Sequence, residues 1–110
     1  MNINIQRIDK NLVVNLSGEL DHHFAAGVRE KIDDEILGSD LDKLIFDFSG
    51  ISFMDSSGIG VIMGRHKKMS DRGGCVVAIG INPSISKLME ISGLRKIVPE
   101  FHSIEEALSF

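Results

Sequence analysis

The chain has 110 residues, 43% of them apolar and 25% charged, which is the make-up of one ordinary globular domain and excludes a disordered segment. Twelve basic against sixteen acidic residues leave a net charge of −4, and six Phe stand without any Trp or Tyr, a balance that argues against nucleic acid as a main partner, which needs a basic face and stacking aromatics. One cysteine, Cys75, excludes an internal disulfide framework and a multi-cysteine metal site.

The opening segment Met1 to Gln6 lacks the charged and apolar regions of a signal peptide. No apolar run along the chain nears the ~20 residues needed to span a bilayer. A cytoplasmic location and no membrane partner are therefore expected. Ile3, Ile5 and Ile8 alternate with polar residues, which predicts a half-exposed edge strand. After a polar break at Asp9–Asn11, Leu12–Leu16 reads as a more buried strand paired with the first as a hairpin. From Phe24 the period changes: Ala25, Val28, Ile32 and Ile36 recur at helical spacing, and Gly38 ends the helix. Leu44–Phe48 is a further core strand.

Gly58 to Met69 reads as a second helix, with Ile59, Ile62, Met63 and His66 turned inward and Arg65, Lys67 and Lys68 on its solvated side. Arg72–Gly74 turns the chain into the strand Cys75–Ile79, which is expected to bury its thiol as an inert group. Asn82-Pro83 is a helix-start signature, because proline at the first helical position lacks only an N–H that would be unpaired anyway. That helix presents Ile85, Leu88 and Met89 and stops at Gly93, with Leu94 covering its end. Ile97-Val98 is expected as a short strand. Ser103 to Glu106 is a capping box that opens a last helix running to Phe110.

No repeat, low-complexity stretch or linker interrupts this order, so residues 1–110 read as a single domain. Strands separated by helices pair in parallel through right-handed crossovers. The fold class is α/β: a mostly parallel sheet with an antiparallel N-terminal edge strand and about four helices. The loops leaving its parallel strands share the carboxyl edge of the sheet, the usual place for a site. They carry Gly18–His23, Ile51–Gly58 and Gly80–Pro83.

Phe48 to Gly58 is long for a strand-to-helix connection, usually ~2–6 residues, and excess length there signals function. It ends in Asp55-Ser56-Ser57-Gly58-Ile59-Gly60. Ser56 or Ser57 stands where the helix begins, beside free backbone N–H groups and the positive end of the dipole. One reading is an N-capping serine. The other is a serine whose hydroxyl receives a phosphate, which the helix end tolerates while the surface gains ~1.5–2 negative charges. A serine hydrolase using His22 or His23 as base fits poorly, because the nucleophile elbow needs glycine two residues before the serine and Met54 stands there. A nucleotide-using enzyme fits no better: Gly58, Gly60 and Gly64 miss the dinucleotide spacing by one residue, and no Gly-Lys-Ser/Thr exists. The three glycines are instead expected to let the helix start tightly and pack close to the sheet. In the Glu19–His23 cluster, Asp21 reads as the N-cap of the first helix, and adjacent histidines at a helix entrance point apart, so neither a metal nor another cofactor is expected. Asp47 near a strand end suggests a receiver-type phosphoacceptor, but the acidic pair that a receiver needs at its first strand is missing.

With these residues in view, the chain resembles the anti-sigma factor antagonists of the STAS-domain family. Gly18–His23, Ser52 to Arg65 and Ser92–Leu94 carry the likeness, which runs over essentially the whole chain. Asp55-Ser56-Ser57-Gly58 is shared across the family, while Asp21-His22-His23 and Phe53-Met54-Asp55 are closer to its sporulation branch. The resemblance implies a regulator of transcription and not an enzyme. Its partner is an anti-sigma factor serine kinase, which the unphosphorylated form binds so that the sigma factor is released. Phosphorylation on the serine directly after the loop aspartate, Ser56 here, ends that binding, and a PP2C-like phosphatase reverses it. The partner-binding surface is then expected to comprise Asp21, His22, Asp55, Ser56, Ser57, Gly58, Ile59 and Gly60, on a chain that is monomeric when alone. The same switch in a stress-response sigma pathway is the nearest alternative, and a small serine/histidine hydrolase or nucleotide-using enzyme the more distant one.

Overall fold

Five strands form one sheet whose spatial order is the order of the chain, β1 (Asn2–Ile8), β2 (Asn11–Leu20), β3 (Lys43–Met54), β4 (Cys75–Ile79) and β5 (Glu100–Phe101). In this computed structural model, which describes residues Met1–Phe110, the first pair is antiparallel and the other three are parallel. The expected α/β architecture is the one found. The connections are α1 (His22–Ile36), α2 (Ser56–Asp71), α3 (Pro83–Ile91) followed by a 3-10 turn at Leu94–Lys96, and α4 (Ile104–Ser109) closes the order. No helix is long and apolar enough to cross a membrane.

The two faces of the sheet are covered unequally. On one face, side chains from β2, β3 and β4 such as Leu12, Val14, Phe46 and Val76 meet α1, α2 and α3 through Val28, Ile32, Ile62, Met69 and Met89, giving a core of 23 buried residues. Phe46 and Phe48 lie two residues apart on β3, so they share this face and stack at 5.3 Å. On the other face a smaller core of Val13, Ile45, Val77, Ile79 and Ala107 is capped by α4 alone. Lys43 is the unexpected member of that side. It is 5% exposed, and its ammonium donates to the carbonyls of Ala107, Leu108 and Phe110 at 2.6, 3.2 and 2.7 Å, so the orphan acceptors at the end of α4 are satisfied by a buried cation.

Several sequence boundaries shift. β2 and β3 run farther than apolar periodicity suggests, to Leu20 and Met54, because their parallel pairing continues through register irregularities at Asn15/Ser17 and Gly18/Glu19. Gly18, Glu19 and Leu20 are thus strand residues, and the supposed long loop between Phe48 and Gly58 is strand up to Met54. Ile97-Val98 is not a strand. Both amides donate to the Leu94 carbonyl, at 3.0 and 2.8 Å, leaving Val98 as a core plug behind the 3-10 turn, and β5 forms at Glu100–Phe101. Cys75 is half-buried, and that burial pushes its thiol pKa up. In the α4 capping box Ser103 accepts from the Glu106 amide as expected, but Glu106 reaches the His102 amide rather than that of Ser103.

Candidate functional site

Leu20 and Met54 are register partners on adjacent parallel strands, so the residues that follow them, Asp21 and Asp55, stand side by side at the carboxyl edge. Each aspartate is the N-cap of the next helix. Asp21, in extended conformation, accepts from the His23 amide at 3.0 Å, as a capping aspartate should. Asp55 accepts from the Ser57 amide at 2.8 Å and more weakly from that of Gly58 at 3.4 Å. The cap of α2 is therefore the aspartate and not a serine, and α2 begins two residues before the predicted start at Gly58. Ser56 becomes its first residue and is exposed; Ser57 is half-buried.

The α2 entrance is narrow because Gly58 is buried. A Cβ there would overlap the Met54 side chain, with Met54 Sδ at 3.0 Å and the Leu20 carbonyl oxygen at 3.1 Å. Gly58 thus offers no surface of its own; it lets the first turn of α2 sit against the ends of β2 and β3. The two other glycines of this helix do not share that role, since a Cβ at Gly60 or Gly64 would meet nothing within 4 Å. Ile59 is half-buried against the main core, and Gly60 is exposed.

The structure brings Asp21, His22, Asp55, Ser56, Ser57 and Ile59 to one edge, with Gly58 beneath them and Gly60 beyond. His22 and His23 are both exposed, their ring centroids 6.2 Å apart, and no three His, Cys, Asp or Glu groups converge as metal ligands would. Alongside the α2 entrance, Ser52, Phe53, Met54, Ser84, Ile85 and Leu88 line a cleft of about 260 Å³ between β3 and α3. Phe53, on its rim, is 49% exposed, as is Phe24 of the first turn of α1 at 43%.

Farther along α2, the expected inward face is corrected. Met63 is exposed, His66 is only half-buried, and Val61 and Arg65 are buried in their place. Helical spacing alone cannot assign an arginine to the interior, because its partner lies on another element. Arg65 Nε stands 3.0 Å from Asp33 Oδ1 of α1, an ion pair aligned too poorly for a hydrogen bond, and Nη1 is left without a partner. Burial pushes the guanidinium pKa down while Asp33 opposes the shift.

The chain's likeness to known proteins covers this whole architecture. A model of the STAS domain matches residues 2–107. The chain is 40% identical over 98 residues to an anti-sigma F factor antagonist of Paenibacillus polymyxa, covering 89% of this chain and 84% of that one. It is 30% identical over 99 residues to an anti-sigma-B factor antagonist of Bacillus subtilis, covering 89% and 88%. Among solved structures it superposes on the anti-sigma factor antagonist SpoIIAA in its unphosphorylated form with a TM-score of 0.86, at 30% identity over 97% of this chain and 93% of that one. The phosphorylated form of SpoIIAA, from Bacillus, gives 0.79 at 30% identity over 98% and 97%.

Proposed function

We propose that this chain, which belongs to the STAS domain family and is an anti-sigma factor antagonist, works by partner exchange governed by phosphorylation of Ser56. The unphosphorylated chain binds an anti-sigma factor serine kinase and so frees the sigma factor. The kinase transfers a phosphate to Ser56, binding ends, and a PP2C-like phosphatase restores the binding form. The exchange takes place in the cytoplasm, between proteins, with the antagonist monomeric between encounters. The role is regulatory, and no catalysis is assigned to this chain.

One observation carries this reading: Ser56 is exposed as the first residue of a 16-residue helix, at the edge where Asp21, His22, Asp55, Ser57, Ile59 and Gly60 frame it. The hydroxyl is within a kinase's reach. A phosphate there is stabilised locally by the helix dipole, so the domain need not rearrange. The same phosphate adds about 1.5 to 2 negative charges beside two aspartates. A partner that packs a carboxylate or an apolar side chain over Ser56 then loses its fit through repulsion and desolvation. A loss of about 3 kcal/mol weakens binding more than a hundredfold, enough to make the exchange directional.

The test is phosphate uptake and binding with the purified cognate kinase and ATP. Ser56→Ala should take up no phosphate, mass spectrometry should place it on Ser56 of the wild type, and Ser56→Asp should bind the kinase at least a hundredfold more weakly. Uptake by Ser56→Ala, or wild-type affinity of Ser56→Asp, overturns the mechanism. Sporulation is the pathway favoured by the 40% identity to a sigma-F antagonist over the 30% identity to a sigma-B antagonist. Tighter binding to a stress-pathway kinase than to a sporulation kinase would move the same switch to the second pathway.

A further inference from the structure

The carboxylate of Asp55 divides its two oxygens between two helices. Oδ1 accepts from α2, from the amides of Ser57 at 2.8 Å and Gly58 at 3.4 Å. Oδ2 accepts from α1, from the amide of His22 at 3.2 Å, 33 residues earlier in the chain. Asp21 occupies the equivalent place one strand over but its carboxylate holds only its own helix, through the His23 amide. The Asp55 amide adds a bond to the Leu20 carbonyl at 3.4 Å, which ties the strand ends but not the first turn of α1. The ion pair between Asp33 and Arg65 joins the same two helices, yet Arg65 is nine residues beyond Ser56, about 14 Å down the axis at 1.5 Å per residue.

We propose that Asp55 is a positioning residue for Ser56: its carboxylate clamps the first turns of α1 and α2 together, so that His22 and Ser56 meet a partner as one rigid surface. The proposal rests on the partner-exchange reading above and assigns Asp55 a part in it that needs no contact with the partner. The carboxylate has the right character for this work, because hydrogen bonds from amides to an ionised acceptor are stronger than neutral ones. Without the Oδ2 arm the first turn of α1 keeps its Asp21 cap and the core packing of Ala25 but loses its direct tie to the α2 entrance, and it shifts relative to that entrance. Small misplacements of reacting or recognising groups are costly, since transfer to a hydroxyl requires near-attack geometry.

The arm to α1 can be removed without touching Asp55. His22 is the first residue of α1, where proline is favoured and its missing N–H is the bond in question. Asp21 before it, at φ −113° and ψ −173°, already has the extended backbone that precedes proline. His22→Ala removes the imidazole and keeps the amide; His22→Pro removes both. Phosphorylation of Ser56 by the cognate kinase should have a kcat/KM about tenfold lower for His22→Pro than for His22→Ala. Adding Asp55→Asn should then cost less in the His22→Pro background than in the His22→Ala background, as expected of two changes that break one bond. Equal rates for the two His22 variants, or equal costs of Asp55→Asn in both, overturn the positioning role. An unfolded His22→Pro leaves a second measurement: by NMR, the His22 amide of folded Asp55→Asn should exchange with solvent about tenfold faster than in the wild type, and unchanged exchange overturns the clamp. A wild-type chain that takes up no phosphate instead overturns the reading on which the proposal rests, so the two failures are distinct.

Discussion

Asp21 and Asp55 follow register partners on neighbouring strands and cap successive helices, yet the two entrances are held in different ways. At α1 the cap is local: one carboxylate oxygen, one amide of the same helix, and two exposed histidines above it. At α2 the cap reaches across to α1, the third residue is a buried glycine, and the serine that stands above is exposed. One device, an aspartate ending a strand, thus serves as a simple helix start in one place and as a junction in the other. What distinguishes α2 is its buried Gly58, whose missing side chain lets the helix start against the ends of β2 and β3.

That difference is broken most strongly at Gly58. Gly58→Ala forces a methyl group against Met54 and the Leu20 carbonyl oxygen and should cost about 2 kcal/mol by overpacking. Gly60→Ala, with open space at its Cβ, should be neutral or slightly stabilising in the same urea unfolding experiment. Equal costs would show that the α2 entrance is no tighter at its base than at its rim. The next effect is at the caps. Asp21→Ala should lose about 1 kcal/mol, the usual worth of an N-cap, and Asp55→Ala up to about 2 kcal/mol, because it also frees the His22 amide. A thermal denaturation series reads this directly, and equal losses would reduce Asp55 to a local cap. The smallest effect is a gain. Gly27 lies inside α1 on the exposed side, and a Cβ added there would meet no atom within 4 Å, so Gly27→Ala should stabilise by about 0.5 to 1 kcal/mol. Absence of that gain would show that a side chain at Gly27 is not free of cost in the folded chain.

The alternation of helical and strand periods made the architecture legible, and so did the caps that depend on near neighbours, such as Asp21, Asn82 and Ser103. The ends of β2 and β3 were hidden because the apolar runs stop at Leu16 and Phe48, whereas pairing between the two strands carries them on to Leu20 and Met54. Removing that loop also removes its length as a sign of function; the serine is conspicuous for its place at a helix start, not for a long connection. Spacing could not tell Ser56 from Ser57; the resemblance pointed to Ser56, and the structure adds that Ser56 is the exposed first residue of α2 while Ser57 is half-buried. Arg65 and Lys43 were out of reach for a different reason. Each is buried only because a partner far along the chain, Asp33 for one and the α4 carbonyls for the other, receives its charge. The double duty of Asp55 has the same origin, a bond to an amide that no local pattern announces.

The sheet whose strands lie in chain order has a consequence for how the molecule is made. Every strand adds to the edge left by its predecessor, with no gap to be filled later by a distant segment. Each pairing then spans only one hairpin or one helical crossover, which limits the loop entropy of each step. A chain leaving the ribosome can therefore lay down β1, β2, α1, β3 and α2 in succession, and the residues of the edge bearing Ser56 are all present at Asp71, before β4 arrives to pair with the open edge of β3 and β5 with that of β4. Synthesis of the last third of the molecule then consolidates a surface that already exists.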